Sequence, residues 1–202
     1  MKSVMLSTRP QWCEKICHKI GKDENGKPIY EKRIEVRKSA PKEVPFKAYI
    51  YVTKDKPYLY GDMPIKEFYL NNGEYKGGEC NGRKLCNGKV IGEFICDKVY
   101  LIKNQGSMFS VANEEESVTN EIARQSCLDY YDMVAYLGNK DGYGWHISDL
   151  KIYDKLKELS EFRKPFIDYV SPKESKMVNP KIGISEYVTC PPQSWCYVEE
   201  LE

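Results

Sequence analysis

The sequence predicts an α+β domain, a small and mostly antiparallel β-barrel with two or three flanking helices and two irregular insertions. Three observations carry this. Strand-like alternation recurs along the chain, most clearly in the Tyr and aliphatic pattern of Lys47 to Lys54. Helical spacing marks two segments, through Trp12, Ile16 and Ile20 and through Leu128, Tyr131, Val134 and Leu137. Between 57 and 88 the chain turns rich in tight-turn dipeptides, Asn72-Gly73, Gly77-Gly78, Asn81-Gly82 and Asn87-Gly88.

In chain order, Ser3 to Ser7 reads as a first strand, and Pro10 suits the first turn of a helix running to about Ile20. Gly21 to Pro28, tipped by Asn25-Gly26, is a turn or small hairpin. The charged run Tyr30 to Lys38 follows, in which Ile34 and Val36 alternate with Arg33, Glu35 and Arg37, so Glu35 and Arg37 share a face. Lys32 has the opposite parity and joins them only if the strand begins after it or carries a bulge. After the Gly-rich insertion, Lys89 to Ile102 is a strand whose Gly92 marks a bulge or a close backbone approach. Ser126, with Asp129 three positions on, resembles a capping box that opens a helix ending at Gly138. Tyr143 to Leu150 is a further strand, Asp154 to Phe162 a helix, Arg163 to Tyr187 the second insertion (about 163–187), and Ser194 to Glu199 a last strand.

At 202 residues the length fits one domain spanning 1–202. Lys plus Arg number 31 and Asp plus Glu 30, so the net charge of +1 gives no global attraction to a polyanion and any nucleic-acid contact must use a local patch. Basic residues from Lys15 to Lys42 crowd the first fifth of the chain and would supply one. The 16 tyrosines offer stacking faces with a polar end, useful in half-wet cores and for holding bases. The N-terminal apolar run is too short for a signal peptide and no segment approaches the roughly 20 apolar residues of a membrane span, so a soluble cytoplasmic protein without a membrane partner is expected. Most of the eight cysteines are then free thiols, and none has the two-residue spacing of a zinc knuckle. Neither a nucleotide-binding Gly loop nor a catalytic triad is present, which disfavours kinase, dehydrogenase and serine-hydrolase classes. No metal or cofactor is expected.

Four stretches in order, Leu6 to Ile16, Glu31 to Arg37, Val90 to Phe94 and Gly144 to Ser148, resemble the ASCH domain of the PUA-like superfamily. With the tail Pro191 to Glu200 they resemble its prophage-associated form. The resemblance implies a PUA-like barrel with a cleft, between barrel and helices, that handles RNA or modified nucleosides. Some relatives are ribonucleases, and one bacterial branch is an acetylcytidine amidohydrolase whose motif sets a Lys, a Thr three positions on and an Arg two further. Here those positions hold Lys32, Glu35 and Arg37, so the hydroxyl is absent and the amidohydrolase reading is disfavoured.

The expected site is a cleft lined by Lys32, Glu35, Arg37, Glu93 and His146. Lys32, Glu35 and His146 are the candidate catalytic groups, for metal-independent RNA cleavage with Glu35 as base. Arg9, Arg37, Lys38, Glu93 and Ser148 are the candidate nucleic-acid contacts. A plain surface ion pair between Glu35 and Arg37, worth about 0.5 kcal/mol, is the other reading of the same pattern. A further alternative is a phage interaction module that uses the Gly-rich insertion to engage a host protein.

Overall fold

The computed structural model describes residues 1–54, 67–75, 84–106, 108–165 and 186–201. Its elements in order are β1 (Ser3–Thr8), α1 (Pro10–Cys17), β2 (Lys19–Lys22), β3 (Pro28–Tyr30), β4 (Ile34–Arg37), β5 (Phe46–Val52), β6 (Tyr69–Leu70), β7 (Lys84–Leu85), β8 (Val90–Cys96), β9 (Val99–Asn104) and β10 (Phe109–Val111). There follow α2 (Glu116–Ser126), α3 (Tyr130–Leu137), β11 (Gly142–His146), β12 (Ser148–Lys157), a 3-10 turn at Leu159–Glu161, and β13 (Trp195–Val198). Most of both predicted insertions, including Gly77-Gly78 and Asn81-Gly82, lies outside the described residues, so the Gly-rich surface is not described.

Strands form a five-stranded sheet in the order β12-β8-β5-β1-β13 and a four-stranded sheet in the order β10-β9-β11-β4. β1 pairs parallel to β5, and the other pairings are antiparallel. The fold is α+β with three α-helices among the described residues. Two further sheets, β2-β3 and β6-β7, have two strands each, and the described residues show no closed barrel where the sequence predicts one. α2 packs on the face of the four-stranded sheet, Ile122 against Ile34, Val36, Ile102 and Val111, and touches both of its outer strands, β4 and β10.

The alternation within each strand fixes the layers. In β1 and β5, Val4, Leu6, Ala48, Ile50 and Val52 face the main core, shared with Cys13 and Ile16 of α1 and with Trp145. Met5, Tyr49 and Tyr51 face the other way, onto a smaller core closed by Phe162 and Val188. In β4, Ile34 and Val36 meet Ile122 of α2 and Leu137 of α3 in a third core. β1 is therefore covered on both faces, and all six of its residues are buried.

Four expectations are corrected. The first helix stops at Cys17 because Lys19–Lys22 turns back on Pro28–Tyr30 as a hairpin with Gly26 at φ +78°, which carries Ile20 out to 51% exposure. Ser126 ends a helix instead of starting one. α2 carries a single apolar stripe, Val118 and Ile122, too sparse to register in the sequence, and Cys127 stops it at φ 55°. The capping box belongs to Asp129 and Asp132, and Gly138 closes α3 as expected. The predicted strand Tyr143 to Leu150 divides at Ile147, whose amide still bonds the Arg33 carbonyl in register with β4, because Ser148 crosses to the five-stranded sheet and begins β12 beside β8. Asp154 to Phe162 is strand up to Lys157, since Leu150, Ile152 and Leu156 alternate into the main core while Tyr153 faces the smaller one. Alternation outweighed the helix-favouring composition.

The close approach expected at Gly92 is present. A Cβ there would run into the Lys151 carbonyl oxygen and lie 3.1 Å from the Ile152 Cα, beside register shifts on both neighbouring strands. Gly92→Ala is expected to lower stability by about 1–3 kcal/mol, read as a lower denaturant midpoint at unchanged slope. An unaltered midpoint would mean that the strands part freely at this crossing.

Candidate functional site

β4 turns its two charged residues inward. Ile34 and Val36 go to the helices, so Glu35 and Arg37 face the main core, Glu35 in register with Trp145 and Arg37 with Tyr143. Lys32 lies before the strand. Its amide donates to the Lys15 carbonyl at the end of α1, and the Arg33 amide donates to the Gln125 carbonyl near the end of α2. Strand parity therefore does not bind Lys32, and its side chain joins the Glu35 face.

The three side chains close on one another. Arg37 Nη2 donates to Glu35 Oε1 at 2.6 Å, to the Ser7 carbonyl at 2.9 Å and to Thr8 Oγ1 at 3.4 Å. Lys32 Nζ donates to the Ser126 carbonyl at 2.5 Å, forms an ion pair with Glu35 Oε2 at 3.4 Å and sits 5.2 Å from the centre of the Trp12 ring. The Ser126 carbonyl is among those left without an intrahelical partner at the C-terminus of α2, where the helix dipole favours a cation. Relative exposures are 1% for Lys32, 4% for Glu35 and 6% for Arg37, so this is an internal cluster of two cations and one anion. Burial pushes the Lys32 ammonium below the usual lysine value, partly offset by the Glu35 carboxylate. Glu35 Oε2, Arg37 Nε and, across the strand, Trp145 Nε1 are buried without a hydrogen bond.

The other expected site residues are placed elsewhere. Glu93 faces the outer side of the five-stranded sheet, where it accepts from Tyr153 Oη at 2.6 Å and lies 3.9 Å from Lys47. Burial, then the Glu93 hydrogen bond, push the Tyr153 phenol up. His146 pairs in register with Ile34, so it points away from Glu35, and its Nδ1 lies 2.6 Å from Asp97 Oδ1. Burial is the largest single influence on the Asp97 carboxyl and raises it, but the hydrogen bond and charge of His146 with further hydrogen bonds together hold the group below its ordinary value. Ser148 Oγ donates to the Ile95 carbonyl at 2.8 Å. The single cleft expected from the sequence is thus three separate places, because residue type does not reveal which side of which sheet a strand will present. Arg9 occupies the N-cap position of α1, next to Thr8, with extended backbone. Lys38 alternates to the helix side of β4, its ammonium 5.4 Å from the centre of the Tyr136 ring.

The Ser7 carbonyl, Thr8, Trp12 and the Ser126 carbonyl complete the cluster and were not signalled by the sequence. Thr8 and Trp12 lie in the Leu6 to Ile16 motif, but their partners come from remote segments. The described cysteines are all free, burial pushes the Cys13 and Cys17 thiols up, and no group of three or more His, Cys, Asp or Glu side chains among the described residues could hold a metal. Cys80 lies outside those residues. No helix among them is long and apolar enough to cross a membrane.

No protein-family model and no curated protein matches the chain. Among solved structures it is similar to ASCH from Zymomonas mobilis, at 13% identity and a TM-score of 0.47 over 98% of this chain and 89% of that one. It is also similar to a tyrosine-to-phenylalanine mutant of ZmASCH, at 12% identity and a TM-score of 0.47 over 99% and 92%. Likeness at that level assigns neither family nor activity.

Removing the shared carboxylate leaves two buried cations without their counter-charge, so Glu35→Gln is expected to cost about 3–5 kcal/mol by chemical denaturation. A cost under about 1 kcal/mol would class the trio with exposed pairs. Glu31, next to Lys32, is raised by burial but held below 4.5 overall by hydrogen bonds from Lys15 and His18. A carboxylate depressed on folding contributes stability above its unfolded pKa and loses it as pH falls through the folded one. Glu31→Gln should therefore cost less than about 1 kcal/mol at pH 7, and its difference from wild type should vanish well below the pH of the ordinary carboxyl; a pH-independent difference would contradict this.

Proposed function

We propose that the chain is an ASCH-type, PUA-like domain that binds RNA or a modified nucleotide, with Lys32, Glu35 and Arg37 as its functional centre. The observation that supports this is the convergence of three charged side chains from a single short segment at exposures of 1%, 4% and 6%. Burying charge costs several kcal/mol per ion, and a hydrophobic trio of the same volume would serve stability as well or better, so such a cluster calls for a use. The order of the four ASCH-like motifs supplies the class of ligand.

Two cations and one carboxylate leave the centre net positive, which suits a phosphate or an acceptor-rich base edge. Arg37 offers the planar fork, and Lys32, its proton made more labile by burial, offers a compact donor beside the Trp12 ring. Glu35 is held by Arg37 through Oε1, while Oε2 faces Lys32 without a hydrogen bond and is the oxygen with capacity for a ligand proton. Binding needs only that arrangement. Cleavage needs in addition that Oε2 reach a 2′-hydroxyl, with Lys32 and Arg37 stabilising the charge that develops on the phosphate.

The test is incubation of the purified protein with mixed single-stranded RNA, with and without chelator, beside Lys32→Met, together with binding at two salt concentrations. Lys32→Met removes a charge while keeping the Glu35–Arg37 pair, and is expected to weaken binding about tenfold with the fold retained. Salt-sensitive binding without cleavage makes the protein a reader, and chelator-resistant cleavage lost in the variant makes it a metal-independent ribonuclease. Wild type that neither binds nor cleaves, or a variant of unchanged affinity, overturns the assignment.

A further inference from the structure

We infer that residues 189–194 form a strap that opens to admit ligand to the Lys32, Glu35 and Arg37 cluster. The inference rests on the reading that this cluster takes a ligand, for which its near-complete burial requires a wall to move. On the Lys32 side the wall consists of helix ends tied by backbone bonds, Lys32 to Lys15 and Arg33 to Gln125. On the Arg37 side the wall is lighter. Residues 189–194 have no regular structure and are largely exposed, and they link Val188, whose amide bonds the Phe162 carbonyl, to β13, the outermost strand of its sheet.

Ser7 couples the strap to the cluster. Its carbonyl accepts from Arg37 Nη2 at 2.9 Å, its amide donates to the Ser194 carbonyl at 2.9 Å, and its hydroxyl donates to the Pro192 carbonyl at 2.7 Å. Trp195 continues the contact, donating from Nε1 to Ser39 Oγ at 3.1 Å, two residues beyond Arg37, with its ring 5.8 Å from that of Trp145, the cross-strand neighbour of Glu35. Lifting the strap breaks the two hydrogen bonds that Ser7 donates to Pro192 and Ser194 and leaves the β1–β5 ladder whole. Three buried atoms in the cluster and its cross-strand neighbour lack hydrogen-bond partners, Glu35 Oε2, Arg37 Nε and Trp145 Nε1, an acceptor and two donors for an entering polar group. A short exposed segment between two anchored ends belongs to the low-stability fraction of a fold, which opens without global unfolding.

Cys13 is a native reporter, fully buried with its thiol 3.7 Å from the Thr8 carbonyl, while Cys96 on β8 is an equally buried control. Peptide-resolved thiol labelling under native conditions should show Cys13 reacting about tenfold faster in Trp195→Ala than in wild type, with Cys96 little changed. Cys13 unchanged, or Cys13 and Cys96 rising together, overturns the strap. Should Trp195→Ala fail to fold, hydrogen exchange in wild type decides: the Ser7 amide, held by Ser194, should exchange at least about tenfold faster than the central amides of β5, and equal rates would overturn the proposal. Selective Cys13 labelling in a protein that neither binds nor cleaves RNA would leave the strap standing and remove the nucleic-acid reading.

Discussion

The Glu35 carboxylate, between Arg37 at 2.6 Å and Lys32 at 3.4 Å, is the contact on which the arrangement of this molecule turns. A four-residue strand cannot hide two charges unless other elements bring acceptors to it, and several do. The end of β1 brings the Ser7 carbonyl and the Thr8 hydroxyl, α2 brings the carbonyl of its last residue, and α1 brings the Trp12 ring. Each of these lies at an element boundary, where backbone groups are not consumed by regular pairing. The places where β1 and α2 end are thus tied to the electrostatics of β4 as well as to local propensity.

The near-zero net charge of the chain is reproduced locally. Lys15 and Lys19, which the sequence places in a basic cluster, are paired with Glu31 and Glu74, and Arg33 with Glu121, so part of the crowding of cations in the first fifth is offset by neighbouring carboxylates. The Lys32, Glu35 and Arg37 cluster concentrates a field inside the molecule. Recognition centred there works at short range and in low dielectric, where a few well-placed donors count for more than long-range steering.

How far the sequence could be read follows from the range of the interactions involved. Alternation in Ile34 to Arg37 placed Glu35 and Arg37 together, and the start of the strand at Ile34 met the stated condition for Lys32 to join them. The turn at Asn25-Gly26, the close approach at Gly92 and the end of α3 at Gly138 were legible because each is a backbone property of one or two residues. Glu93 and His146 were misplaced because parity assigns a residue to a face of its own strand and is silent on which face meets which layer. α2 was missed because its polar surface leaves only a narrow stripe, and β12 was misread because a helix-favouring composition lay over a period of two.

The position of β1 also bears on synthesis. It sits between β5 and β13, so one side of its ladder is satisfied by residues 46–52 and the other only by residues 195–198, at the far end of the described chain. During vectorial emergence from a ribosome β1 therefore keeps an unpaired hydrogen-bonding edge, carrying apolar Val4, Met5 and Leu6, until residues 195–198 have been made. An open edge of that kind is a template for intermolecular strand addition. The nascent protein is then exposed to self-association through that edge until β13 emerges, and β13 acts as an internal protector of β1.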